Sequence, residues 1–214
     1  MRSDAGLPDQ GAGARRSLHR SSRESADARH RSEGAAENLV LYIAFLRGIN
    51  VGGNTKIAMS DLVELLKRPG FDDARSLLNS GNLIFRTTRK SPVQLERLLD
   101  SEVQKRLGVE TKFFIRSADD LKSVIAQNPF PREAKEDPGH LLVMFLEGEP
   151  KNVKQLEGAI KGRETFRAIG RQLYIVYPDG VGTSKFSHGV IEKTLGMRGT
   201  GRNWNTVLKL GQFD

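Results

Sequence analysis

Leu39-Val40-Leu41-Tyr42-Ile43-Ala44-Phe45-Leu46, followed without a break by Arg47-Gly48-Ile49-Asn50-Val51-Gly52-Gly53, is the longest apolar run in the chain and the loop that leaves it. Eight apolar residues with Tyr42, Ile43 and Phe45 among them read as a central strand. Downstream, Ser60-Asp61 caps a helix carrying Leu62, Val63, Leu65 and Leu66, and Pro69-Gly70 ends it. Short strands at 75–79 and 83–87 join through Ser80-Gly81-Asn82, where Gly81 takes a positive φ without Cβ strain. Ser91-Pro92 opens the next helix, Gly108 closes it, and a strand at 111–116 follows. The order is β-α-β-β-α-β, that of ferredoxin-like folds.

A similar order restarts further on: a helix at 117–127, a strand at 140–147, a helix at 151–162, a hairpin of 165–169 and 172–177 around Gly170-Arg171, and helices at 187–195 and 203–210. Only 197–200 offers a closing strand, and no sequence-level repeat accompanies the repeated order. The expected organisation is therefore a tail at 1–38, a first ferredoxin-like subdomain at 39–117, and a second at 118–214 that ends in a helix. The fold class is α+β.

The tail holds seven Arg, six acidic residues and six Ser, with no Val, Ile, Phe, Tyr or Trp. Such a segment buries too little apolar surface to offset chain entropy and is expected to be disordered. Its acidic residues argue against a targeting peptide or a nucleic-acid arm. The chain as a whole has 214 residues and a net charge of +8, of which residues 39–214 carry +7. No apolar run approaches the ~18 residues of a membrane helix. The absence of cysteine removes disulfides, thiolate metal sites and cysteine nucleophiles, and fits a reducing cytoplasm.

The basic body admits an anionic partner. Three glycines in Arg47-Gly48-Ile49-Asn50-Val51-Gly52-Gly53, with Lys56 nearby, allow backbone amides to turn inward as an anion nest, although the loop is neither a Walker A nor a GxGxxG sequence. A plain turn is the alternative. Ser184-Lys185, after Gly180 and Gly182, offers amides, a hydroxyl and an ammonium beside a helix start, or simply a loop and cap. Arg202-Asn203-Trp204 combines a cation, a cap and the single tryptophan, which anchors a terminal helix. His140 and His188 have no partner at metal-ligand spacing, so neither a metal nor a cofactor is expected. If the loops converge, Arg47, Lys56, Lys185 and Arg202 hold an anion, the amides of Gly48, Gly52 and Gly53 cradle it, and Ser80, Asn82, Ser184, Asn50 and Asn203 orient it. None of these is a clear general base, which favours binding over catalysis. A nucleic-acid-binding module is the alternative, and a scaffold without ligand a third; few aromatics argue against the former.

The run from Tyr42 to Gly53 with Lys56 and Met59, together with Ser80-Gly81-Asn82, Ser184-Lys185-Phe186, Ile191-Glu192-Lys193 and 202–207, resembles an uncharacterised bacterial family, domain-of-unknown-function family 1697. The matching stretches span residues 41–210 in the family's order. Gly201 departs from the pattern, which has Thr or Ala before the arginine. The resemblance implies two ferredoxin-like subdomains that exchange strands. It carries no activity and no catalytic residue.

Overall fold

From Leu41 onward every residue of β1 (Leu39–Leu46) is buried, because each of its faces is covered by a different core. The computed structural model describes residues 39–48, 57–71, 73–77, 81–88 and 90–213. Tyr42, Ala44 and Leu46 point to one side, against Leu62, Leu65 and Leu66 of α1 (Met59–Lys67) and Leu95, Leu99 and Val103 of α2 (Pro92–Leu107). Leu41, Ile43 and Phe45 point to the other and meet Leu141, Val143 and Phe145 of β5 (Leu141–Leu146). Side-chain alternation along a strand makes this division, and two covered faces explain why the run shows no polar position. β5 repeats it: Leu142, Met144 and Leu146 pack with Leu156 of α5 (Gln155–Ala159) and with Ile191 and Leu195 of α6 (His188–Leu195). The layers run helices, sheet, sheet, helices.

The first sheet has the order β2-β3-β1-β4, with β2 (Arg75–Leu77), β3 (Asn82–Thr88) and β4 (Phe113–Ser117). The second has the order β6-β7-β5-β8, with β6 (Thr165–Ile169), β7 (Gln172–Val176) and β8 (Gly199–Asn203). Both are antiparallel, and the chain visits the second in the same sequence as the first. β8 lies at and beyond the 197–200 stretch that the sequence offered as a closing strand. Its Gly-Thr-Gly-Arg-Asn composition has little β propensity, and pairing to β5 from Leu146↔Gly199 to Leu142↔Asn203 holds it. Among the described residues every strand stays in the sheet of its own half. The exchange implied by the resemblance is not found, since β8 supplies the strand the second sheet needed.

Each closing strand runs directly into a helix, α3 (Ala118–Ala126) after β4 and α7 (Trp204–Leu210) after β8, with Ser117 and Asn203 as caps. Leu121, Val124, Trp204, Val207 and Leu210 of these helices extend the core between the sheets. Helix α1 begins at Met59 with Ala58 in the cap position, so Ser60 lies in the first turn and does not cap. The short α4 (Pro131–Glu136), unforeseen from sequence, buries none of its side chains. Among the described residues no helix is long and apolar enough to cross a membrane.

Candidate anion-binding site

Two arginines cross between the halves in opposite directions. Arg116 of β4 stands opposite Ile43 of β1, and Arg202 of β8 stands opposite Val143 of β5. Arg202 Nη2 donates to Leu46 O at 3.0 Å and Gly81 O at 3.2 Å, at the end of β1 and in the β2–β3 turn. Arg116 Nη2 donates to Leu146 O at 3.2 Å and Arg171 O at 3.3 Å, at the end of β5 and in the β6–β7 turn. Each Nη1 also returns to the carbonyl of the preceding residue, Gly201 or Ile115. The guanidiniums lie 5.5 Å from the ring centroids of Phe45 and Phe145, which stack on each other at 4.1 Å. A column of cation, ring, ring and cation thus joins the sheets.

The crossings differ in what completes them. Arg202 Nε donates to Asn82 Oδ1 at 2.6 Å and Nη1 to Thr200 Oγ1 at 2.9 Å, so all five of its N–H donors meet neutral oxygens. Burial pushes this guanidinium down to about 10, still charged at neutral pH. Arg116 Nε, by contrast, has no partner, and neither has Arg171 Nε, although both are buried. The turn position of Asn82 is taken in the second half by Gln172, which makes no such bond to Arg116.

Arg116 and Arg171 share one carboxylate. Glu96 of α2 stands 3.8 Å from Arg116 Nη1 and 3.5 Å from Arg171 Nη2, and accepts the Ile115 amide at 2.9 Å. Burial raises the Glu96 carboxyl above its ordinary range, against the pull of that amide and both guanidiniums. Burial, and then the neighbouring Arg171, push Arg116 down to about 10. Two cations facing one partly desolvated carboxylate leave an excess positive charge in a low-dielectric setting. The two arginines line a cavity of about 690 Å³ with Lys90, Ser91, Gln172 and the start of α3. Tyr42 holds its rim: its hydroxyl donates to Lys90 O at 2.7 Å and accepts from Lys90 N at 3.1 Å.

The loop residues named from sequence divide. Arg47, Asn82 and Arg202 come together at the end of β1, where Gly81 takes φ +73° and presents its carbonyl to Leu46 N and to Arg202. Arg47 is already paired with Glu192 of α6, Nε to Oε1 at 2.7 Å and Nη2 to Oε2 at 2.6 Å. Gly48 follows at φ +72°. Ser184 turns elsewhere, its hydroxyl donating to Glu164 and accepting from Phe186 N at 3.0 Å, and Lys185 is exposed beside it. Asn203 caps α7 by accepting from Thr206 N at 2.9 Å. Asn50, Gly52, Gly53, Lys56 and Ser80 lie outside the described residues. The cations of this cluster are therefore occupied by protein groups.

His188 fills the space that Gly201 leaves. A Cβ at Gly201 would lie 2.6 Å from His188 Nε2 and 3.0 Å from Leu142 Cδ2, so the histidine sits where any larger residue at 201 would reach. Nε2 is buried without a partner, and Glu192, Arg47 and Arg202 surround the ring.

Arg116, Arg171, Glu96 and Lys90 were missed in sequence. The signal for Arg116 was an arginine directly after the apolar run Phe113-Phe114-Ile115, followed by a capping serine and a helix, as Arg202 is followed by Asn203 and a helix.

The chain belongs to a family described as a protein of unknown function (DUF1697), whose pattern matches residues 40–174. The stretches at 184–207 lie beyond that match. Among solved structures it is similar to the conserved bacterial protein SP0830 from Streptococcus pneumoniae, at 23% identity and a TM-score of 0.63, over 81% of this chain and 98% of that one. This likeness shows a shared fold. No curated protein matches the chain.

Proposed function

We propose that the protein binds a small anionic ligand, bearing a carboxylate or phosphate, in the cavity lined by Arg116 and Arg171, on a scaffold of two ferredoxin-like halves. The observation that carries this reading is the pair of guanidiniums with one shared carboxylate and two unpaired Nε atoms. The other crossing supports it by contrast, since there the protein itself supplies the oxygen that Arg116 lacks. An anion that drew the Arg116 or Arg171 Nε to the cavity surface would satisfy a buried donor whose unpaired state costs on the order of 1–3 kcal/mol. No step of covalent chemistry is assigned.

The nucleic-acid reading is weaker. Among the described residues the exposed large apolar side chains are Leu39, Val93, Val181 and Leu208, with no aromatic ring among them to stack a base.

Calorimetric titration of the full chain with inorganic phosphate and with acetate tests the proposal. Binding that Arg171→Gln weakens about tenfold or more, and that Lys185→Gln leaves unchanged, is expected. Equal binding by both variants, or none by the parent, overturns it and favours a scaffold without ligand.

A further inference from the structure

Resting on that reading of the cavity, we infer that its ligand is zwitterionic, an anion that also carries an ammonium group. The cavity is larger than a bare anion requires, since at about 690 Å³ it falls within the ~300–1,000 Å³ of sites for whole small molecules. Its lining is not uniformly basic. Lys90, Arg116 and Arg171 are joined on the same cavity by Asp119 and Asp120 from the first turn of α3.

The two carboxylates are in different states. Asp120 Oδ2 accepts the Ser117 amide at 3.0 Å, which closes the helix cap. The Asp119 side chain is exposed and has no ion pair or hydrogen bond among the described residues, although its backbone carbonyl accepts from Ser123 Oγ at 2.9 Å. A carboxylate without a protein partner thus lies on the same cavity as the two arginines. Moreover, Ser123 and Gln127, one and two turns further along the same side of the chain, add neutral acceptors to the Asp119 side of the lining.

One ligand chemistry matches both ends. Its carboxylate or phosphate meets Arg116 and Arg171, and its ammonium meets Asp119, while Val40, Pro92 and Val124 supply apolar lining for a short aliphatic connection. A ligand with negative charge alone would leave Asp119 facing it, which like-charge repulsion disfavours.

The test uses the full chain and a ladder of probes: glycine, β-alanine, γ-aminobutyrate and δ-aminovalerate, each against the carboxylate of the same length without the amine. At least one amino acid of the ladder should bind about tenfold more tightly than its amine-free counterpart. That advantage should vanish in Asp119→Asn while the affinity for the plain carboxylate is kept or improved. If the amine confers nothing at any length, or if Asp119→Asn keeps the preference, the zwitterion inference is wrong although anion binding stands. If neither series nor phosphate binds, the anion reading fails with it.

Discussion

Arg116 and Arg202 trade acceptors across the sheet interface: each takes a carbonyl at the end of the other half's central strand and a carbonyl in the other half's hairpin turn. The relation is close to a twofold one, and it breaks at Nη1, where Arg202 meets Thr200 and Arg116 faces Glu96, and at Nε. There Arg202 meets Asn82 and Arg116 meets nothing. One crossing is saturated and serves cohesion; the other keeps a buried donor unpaired beside the cavity.

The two should therefore differ in their effect on stability. Arg202→Met removes five hydrogen bonds at the sheet interface and is expected to cost about 3–5 kcal/mol. Arg116→Met also removes an unpaired donor and a repulsion with Arg171, so about 1–2 kcal/mol is expected. Urea denaturation of the two variants measures the difference, and equal losses would count against the asymmetry.

Gly201→Ala places a methyl group within 2.6 Å of His188 and is expected to destabilise by about 1–3 kcal/mol. His188→Ala opens that space. A double-mutant cycle should show Gly201→Ala costing much less in the His188→Ala background.

Acid should weaken the fold from below about pH 6.5. Burial holds His188 below its ordinary value, Glu192 opposes this, and Arg202 and Arg47 add to it. The unfolded chain then binds more protons than the native one, so stability falls as pH drops through the unfolded value near 6.5. Glu192 continues the trend at lower pH: burial raises its carboxyl, but hydrogen bonds from Arg47 and the Gly199 amide outweigh this and hold it below the usual range. Its contribution is present above about pH 4.5 and lost as pH falls through the depressed value. Chemical denaturation across pH 7 to 5 should show a slope that His188→Gln flattens.

Neither half should stand alone, although each sheet is complete. A fragment of residues 39–127 would expose Leu41, Ile43, Phe45, Ile84 and Phe114, which the second half now covers. Loss of near-ultraviolet dichroism, or self-association by sedimentation, is expected of the fragment. A monomer with native dichroism would disprove the dependence.

Much of the element order was legible because strands and helices announce themselves locally. The 39–46 run, the Ser91-Pro92 start and the Gly170-Arg171 turn are each readable within a few residues. β8 was legible only in part, at 197–200, since its glycines, arginine and asparagine carry little strand signal and pairing with β5 makes them a strand. The candidate site was mostly hidden for a related reason. Glycine-rich loops suggest an anion nest in sequence, whereas Arg47 and Arg202 are claimed by Glu192, Asn82 and carbonyls from far along the chain. Arg116 looked like an ordinary polar residue ending an apolar strand until the second sheet was laid over it.

The Nη2 acceptors in both crossings are main-chain oxygens. Mutation cannot remove them while the backbone path is kept. The two halves can thus differ in sequence while staying docked, with Phe45 and Phe145, Leu46 and Leu146, and the two arginines in matching places. An ancestral tandem duplication of one β-α-β-β-α-β unit would leave this trace: an order of elements that repeats over a sequence that no longer does.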